Sequence, residues 1–169
     1  MAVALGAALM LPAAVLGQAC TAPIPAGTCT ASTSTTLTVG RVIQLTLSST
    51  TTTLAPPALS DYDAGFVANQ GPSATVKSNG RWKLQISAAA PTWDAADGAA
   101  RTDKPASDLQ WSTLPSGQYT SVATTPSDVA EGGATAGTPL PLHYRAQLDQ
   151  ATDAPGSYTL VVKLTLVGA

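Results

Sequence analysis

Charged side chains are scarce in this chain of 169 residues. Asp, Glu, Lys and Arg make up 11% of the sequence, against about a quarter of a typical soluble domain. The formal net charge of -2 provides neither a basic field for nucleic acid nor the character of an acidic polyelectrolyte. We therefore expect no nucleic-acid binding and no binding to a membrane surface.

Residues suited to catalysis are also few. His143 is the only histidine, and the hydrophobic pattern places it on the outer face of a strand. A catalytic triad needs three groups held together, and the sequence argues for one. The acidic residues are scattered over predicted loops, so nothing indicates two carboxylates facing each other across a cleft. We predict that the protein is not an enzyme and has no catalytic residue.

Metal and cofactor sites are not indicated either. The sequence Asp61-Tyr-Asp63-Ala-Gly65 resembles the opening of a calcium loop, but Pro72 stands at the twelfth position in place of a bidentate Glu. An EF-hand is therefore excluded, and only an irregular site built on the Asp residues stays open. We predict no metal ion and no cofactor.

The amino terminus has the composition of an export signal. Residues 1–40 contain no charged side chain, and residues 2–16 are Ala, Val, Leu, Gly and Met with one Pro. This apolar run is shorter than the 20 or so residues that a membrane-spanning helix needs. The small residues Gly17 and Ala19 predict cleavage after residue 19, which removes residues 1–19 as a signal peptide. The alternative is lipid modification of Cys20.

Cys20 and Cys29 are the only cysteines. In an exported chain a pair of cysteines is typical of a disulfide. Two sulfurs without neighbouring His or acidic ligands would leave a tetrahedral zinc half coordinated. We predict a Cys20–Cys29 disulfide that closes a local loop inside a Thr/Ser-rich segment, residues 20–35. Such a loop cannot join distant strands.

The rest of the chain, residues 36–169, shows a hydrophobic period of two and no long amphipathic helix. This alternation predicts half-buried antiparallel strands packed in two layers. Two shorter strands are indicated over residues 109–113 and 119–123. The inner faces of the longer strands consist of Ile43, Leu45 and Leu47; of Trp82, Leu84 and Ile86; of Leu142, Tyr144, Ala146 and Leu148; and of Tyr158, Leu160, Val162, Leu164 and Leu166.

The connections are predicted from Gly, Pro and Asn. A three-residue loop, Ser78-Asn79-Gly80, would pair Val76 with Trp82 in a hairpin and would require a positive φ at Gly80. Two stretches rich in Ala, Gly, Pro and Asp, residues 88–107 and 124–141, are read as surface loops.

Tryptophan provides the best case for ligand binding. Trp82 and Trp111 alternate in register with Leu84 and Leu109, which predicts burial. Trp93 lies in the 88–107 loop and could present a flat face to a sugar ring. Its alternative role is a plug that covers one end of the sandwich.

Several motifs resemble those of secreted bacterial immunoglobulin-like β-sandwiches of the spore-coat-U and fimbrial-subunit kind. The resemblance covers residues 36–169. It implies a sandwich fold and a cell-surface setting, and it carries over no catalytic residue. The motifs are Asp61-Tyr-Asp-Ala-Gly65, Val76-Lys-Ser-Asn79 followed by Trp82, Tyr144-Arg145, and Asp153-Ala-Pro-Gly-Ser-Tyr158 before the last strand.

Two features of this resemblance leave alternatives open. Pilins receive their last strand from a neighbour, whereas this chain carries its own. The Thr-rich segment, residues 20–36, either adds as a donor arm to a sheet edge on another subunit or forms the first strand of its own sheet. Tyr158 either bonds the upstream backbone as a tyrosine corner or simply packs as the first inward residue of the last strand.

We predict an all-β, immunoglobulin-like antiparallel sandwich of about seven strands behind a cleavable signal peptide. The expected function is that of a secreted, non-enzymatic structural or surface module, fimbria-like or coat-like. Its expected partners are other copies of itself or cell-envelope components, with no membrane span in the mature chain. The alternative is a carbohydrate-binding adhesion module that uses Trp93 and the 88–107 loop.

Overall fold

The computed structural model describes residues 20–21, 27–96 and 101–169. The chain divides into two compact units, Met1–Val39 and Gly40–Ala169. The predicted signal peptide, residues 1–19, lies outside the described residues. Residues 27–39 contain neither helix nor strand. Of the two alternatives for the Thr-rich segment, a first strand of its own sheet is therefore not observed in the part that is described.

The second unit is built almost entirely from strands. Its described residues, 40–96 and 101–169, form ten strands, one short α-helix and one turn of 3-10 helix at Ala106–Asp108. In chain order the elements are β1 (Ile43–Leu47), α1 (Leu59–Ala64), β2 (Phe66–Ser78), β3 (Trp82–Ala88), β4 (Asp94–Ala96), β5 (Leu109–Ser112), β6 (Thr120–Ser121), β7 (Ser127–Gly132), β8 (Thr135–Gln147), β9 (Ser157–Thr159) and β10 (Val162–Gly168).

The strands form two main sheets that share one interior. The larger sheet has the order β1-β2-β8-β5-β6 and the smaller has the order β10-β3-β7, while β4 and β9 pair separately. Every pair of strands is antiparallel. Ala74 and Val76 of the larger sheet are buried against Trp82 and Leu84 of the smaller. The prediction of an antiparallel β-sandwich is confirmed, with ten strands in place of about seven.

The two-residue rhythm of the sequence matches the observed burial. The predicted inward residues of β3 and the first three of those in β8 are all buried. In β10, the half-buried residues Val162, Leu164 and Leu166 alternate with exposed ones. The predicted last strand is interrupted at residues 160–161, because β9 pairs with β4 whereas β10 pairs with β3.

The hairpin predicted at Asn79-Gly80 is wrong. β2 and β3 belong to different sheets, so Val76 and Trp82 meet across the core. Asn79, in the connection between β2 and β3, instead bonds the residues just before β1. Its side-chain oxygen accepts from the N–H of Val42 at 2.9 Å, and its side-chain nitrogen donates to the carbonyl of Gly40 at 2.7 Å. Gly80 does not take the positive φ that the hairpin required.

The surface loop predicted for residues 124–141 is also wrong. This stretch contains β7 and the first half of β8. Residues 135–141 pair with β2, and β7 pairs with β3. The stretch has few large apolar residues, so its own sequence shows no clear alternation. The neighbouring strands supply the hydrogen-bond partners that keep it extended.

Helix α1 uses the acidic motif that opened like a calcium loop. The Asp61 carboxylate accepts from the N–H of Ala58 at 2.8 Å at the amino end of the helix. Gly65 ends the helix with φ 78°, a left-handed conformation that glycine adopts at little steric cost. Asp61 therefore has a structural role as a helix cap.

Candidate functional site

Trp93 is buried and does not present a face for ligand stacking. Its side chain is 9% exposed, and its indole N–H donates to the carbonyl of Pro105 at 3.1 Å. The neighbouring Thr92 forms an isolated β-bridge with Pro105. These contacts match the plug that the sequence left open. They remove the exposed platform on which the adhesion alternative at Trp93 depended.

Lys104, in the same loop, holds a buried ionic cluster. Its ammonium donates to the carboxylates of Asp108 at 3.1 Å and Asp153 at 2.8 Å, and to the carbonyl of Gln147 at 3.0 Å. The side chains of Lys104 and Asp153 are only 5% and 6% exposed. Three acceptors satisfy the three N–H groups of the ammonium, as a buried charge requires. This cluster holds Lys104 to Gln147 at the end of β8.

Arg101 extends the cluster toward solvent. Its guanidinium contacts Asp153 at 3.3 Å and Asp103 at 2.8 Å. The hydrogen bond between Arg101 and Asp103 raises the pKa of the arginine and lowers the pKa of the carboxyl. At the same end, hydrogen bonds from the backbone of Ala151 and then from Thr152 lower the pKa of Asp149.

Tyr158 connects this cluster to the last strands. Its hydroxyl donates to the carbonyl of Ala154, four residues upstream, at 2.6 Å and accepts from the N–H of Arg101 at 2.9 Å. The ring is also partly buried against the core. The bond to Ala154 is the kind that a tyrosine corner makes. Both structural roles considered for Tyr158 are therefore present in one side chain.

A shallow polar cleft of about 390 Å³ lies beside the cluster. Its acidic residues already accept hydrogen bonds from nearby donors, Lys104 for Asp108 and backbone N–H groups for Asp149. Among the residues that the structure describes, no group of three or more His, Cys, Asp or Glu side chains could hold a metal ion. The cleft is lined by Gly65, Arg101, Asp108, Gln147, Leu148, Asp149 and Thr152.

His143 is half-buried on the face of β8 opposite the core residues. The sheet places it opposite Ser112 of β5 and Gln70 of β2. Ser112 uses its hydroxyl to accept from the N–H of Leu114 at 3.2 Å. Within the described ranges no hydrogen bond joins the serine to the histidine. The sequence could not indicate this neighbour, because the pairing of β5 with β8 is non-local.

The outer edge of β1 is the feature with the clearest capacity for a partner. Val42 bonds Asn79 through both its N–H and its carbonyl, and the N–H of Ser48 donates to Ser73. In an antiparallel pair, every second residue of a strand bonds the neighbouring strand through its N–H and carbonyl groups. Val42 and Ser48 are bonding positions, so the peptide groups of Ile43, Leu45 and Leu47 point away from β2. β1 has no strand on that side among the described residues.

The other edge strands of the two main sheets carry protection that β1 lacks. β6 has only two residues, β7 carries Asp128 and Glu131 beside a register shift, and β10 carries Lys163. Charge, shortness and irregularity are the devices that keep sheet edges from pairing with other chains. The sequence of β1, Ile-Gln-Leu-Thr-Leu, has no charge or Pro, and its pairing with β2 shows no shift.

The predicted disulfide between Cys20 and Cys29 is confirmed, with their Cα atoms 5.7 Å apart. The pair could be predicted because the chain offers no other cysteine. The alternative of a lipid on Cys20 requires the thiol that the disulfide uses. No helix in the described ranges is long and apolar enough to cross a membrane.

Comparison with known proteins gives no family. No protein-family model matches the chain, and a search of curated proteins finds no significant match. The resemblance to spore-coat-U and fimbrial-subunit sandwiches therefore stays a prediction from sequence motifs.

Proposed function

We propose that the protein is a secreted, non-enzymatic structural module of the cell surface or extracellular space, and that its copies associate by adding a strand at the edge of β1. The unprotected edge of β1 is the observation that supports this most directly. Ile43 is 39% exposed and the preceding Val42 is 64% exposed. An uncharged, regular edge with apolar side chains is a template for strand addition.

The proposed occupant is a donor segment of a second copy, which consists of the Thr-rich segment and the three residues that follow it, residues 37–39. Residues 27–39 contain no helix or strand of their own. Thr36 and Thr38 alternate with Leu37 and Val39, and β-branched residues suit an extended conformation. Added to β1, the segment would pair its backbone with the free peptide groups and lay two apolar side chains on one face.

Secretion is supported by the disulfide. The chain contains a Cys20–Cys29 disulfide. Disulfides persist in oxidising compartments and are rare in the cytosol. Intact mass spectrometry of the protein recovered from its host tests this part. We expect a chain that starts at Cys20 and weighs two hydrogens less than its fully reduced form. Recovery of full-length chain from the cytosol would contradict secretion.

Self-association is tested by sedimentation velocity on the chain without residues 1–19, over a wide concentration series. Ile43→Pro should abolish association, because proline removes an edge donor that β1 does not use for pairing with β2. Thr38→Pro should have the same effect through the donor segment. The matched controls Ile43→Val and Thr38→Val keep the extended preference and should associate like the wild type.

The variants also separate the parts of the proposal. Near-ultraviolet circular dichroism should show that both proline variants keep the packed tryptophans. If Ile43→Pro loses association and Thr38→Pro keeps it, the donor segment is not the occupant, and the copies instead pair directly through their β1 edges. A wild-type chain that stays monomeric at every concentration would contradict the structural function itself.

A further inference from the structure

Arg145 lies between two aromatic rings on the outer face of the larger sheet. Its guanidinium carbon is 4.8 Å from the centroid of Phe66 and 4.4 Å from that of Tyr119. Phe66 begins β2, Arg145 belongs to β8, and Tyr119 immediately precedes β6. Three separate segments therefore converge on one charged group. Such cation–π contacts attract the positive charge to the faces of the rings.

The orientation of Arg145 is fixed by Gln110 of β5. The side-chain oxygen of Gln110 accepts from Nε of Arg145 at 2.9 Å and from one terminal nitrogen at 2.6 Å. Gln110 is itself only 9% exposed. The other terminal nitrogen, Nη1, makes no hydrogen bond to any described residue. A rigid guanidinium with unused donors costs little further ordering when it binds a ligand.

The charge of Arg145 is not neutralised by the chain. Within the ranges that the structure describes, no carboxylate lies within ion-pair distance of it. Its cross-strand neighbour in β2 is Ala68, and the next residues on the same face of β8 are His143 and Gln147. Arg145 therefore offers a positive charge that no carboxylate among the described residues pairs with.

The combination selects the chemistry of a ligand. A carboxylate is the group that the free edge of a guanidinium binds through charge-assisted hydrogen bonds. Phe66 and Tyr119 are half-buried, so each residue keeps part of its surface accessible to solvent near the charge. Aromatic surface fits the apolar C–H face of a pyranose. A carboxylate and an apolar C–H face occur together in a hexuronate, which is a sugar that carries a carboxylate.

We propose that Arg145, Phe66 and Tyr119 form a binding site for hexuronate units of an acidic polysaccharide. The site lies on a sheet face and does not use the β1 edge. The proposed sugar binding is therefore independent of the proposed self-association. The chain's net charge of -2 disfavours general attraction to polyanions. Recognition is therefore assigned to one carboxylate bound by Arg145, with the apolar face of the same sugar against Phe66 or Tyr119.

The test measures binding of an α-1,4-linked galacturonate trisaccharide to the chain without residues 1–19. Binding is detected by changes in the NMR chemical shifts of backbone amides, and the Kd is measured by calorimetry. We expect shifts around Arg145 and weaker binding of the fully methyl-esterified trisaccharide, which keeps the rings but loses the charge. Arg145→Lys keeps a positive charge but loses the stacked fork, and should raise the Kd by about tenfold or more. Tyr119→Leu should raise it by about threefold or more. Lys163→Ala, a cation on the smaller sheet, is the matched control and should bind like the wild type.

Several results would overturn the proposal. Equal affinity for the acidic and esterified trisaccharides would show that the carboxylate is not recognised. Unchanged binding in both Arg145→Lys and Tyr119→Leu would place the site elsewhere. Equal binding of a short oligothymidylate would show a general polyanion surface, and absence of any trisaccharide binding would also refute it. Thermal unfolding of each variant establishes that the compared proteins are folded.

Discussion

The ammonium of Lys104 lies 2.8 Å from the carboxylate of Asp153, and both side chains are almost completely buried. The pair joins the 101–108 stretch to the turn before β9. Buried charges are tolerated only when each is paired and hydrogen-bonded, which both of these are. Residues 101–108, part of them in the loop that the adhesion alternative would use, are thus held to the sandwich by buried charges.

Removing one partner of this pair should be costly. We expect Lys104→Met to lower the free energy of unfolding by about 3 kcal/mol, because Asp153 keeps its burial and loses its nearest cation. Urea denaturation measures the loss. Lys83→Met is the matched control, since the Lys83–Asp128 pair is largely exposed and should matter little. Equal losses in the two variants would contradict the role of burial.

The hydroxyl of Tyr158 should contribute measurably to stability. Tyr158→Phe leaves the carbonyl of Ala154 and the N–H of Arg101 without this partner, and we expect a loss of about 1–3 kcal/mol in the free energy of unfolding. Tyr119→Phe is the control, because its hydroxyl bonds Pro115 in an exposed position. A loss in Tyr158→Phe no larger than in Tyr119→Phe would show that the bond to Ala154 is not structural.

Gly71 should not tolerate a side chain. A Cβ atom there would lie 2.6 Å from the ring of Tyr144, a residue whose burial raises its pKa to about 12. We expect Gly71→Ala to destabilise the protein by about 1–3 kcal/mol through overpacking. Gly137→Ala in β8 has its nearest contact at 3.9 Å and should be neutral. Thermal unfolding compares them, and equal midpoints would refute the close approach.

Acid should weaken the fold through its exposed ion pairs. The hydrogen bond from Lys83 lowers the pKa of Asp128 below the ordinary value of 3.8. A carboxyl with a lowered folded pKa contributes stability that is present above the unfolded pKa and lost as pH falls through the folded one. Because this pair is largely exposed, the urea concentration at the unfolding midpoint should fall only slightly as the pH is lowered below about 4. Asp128→Asn and Lys83→Met should both reduce this acid dependence, and an unchanged slope in both would contradict the assignment.

Much of the strand content could be predicted from local patterns. The alternation of Trp82, Leu84 and Ile86 with polar neighbours determined which face of β3 is buried, because side chains of a strand point to opposite faces in turn. The same rule placed Leu142 and Tyr144 inward. The Cys20–Cys29 bond followed from the absence of any other cysteine.

The candidate sites depend on non-local pairing and could not be predicted. That β1 lies at an edge is set by the order of strands in its sheet, which no local pattern encodes. Arg145 reads as a polar residue on an outer face, and only the neighbouring strands bring Phe66, Gln110 and Tyr119 to it. Trp93 reads as a loop residue, and only its bond to Pro105 shows that it is a plug.

The sequence by itself determined that this chain forms a layered β-structure, because a period of two in polarity can bury one set of residues only in extended strands. The tertiary structure alone decided which strands are neighbours. Val76 and Trp82 show the difference: their spacing suits a hairpin, yet they meet across the core. Backbone hydrogen bonds are the same for every strand, so the choice of partner is made by the packing of the whole domain.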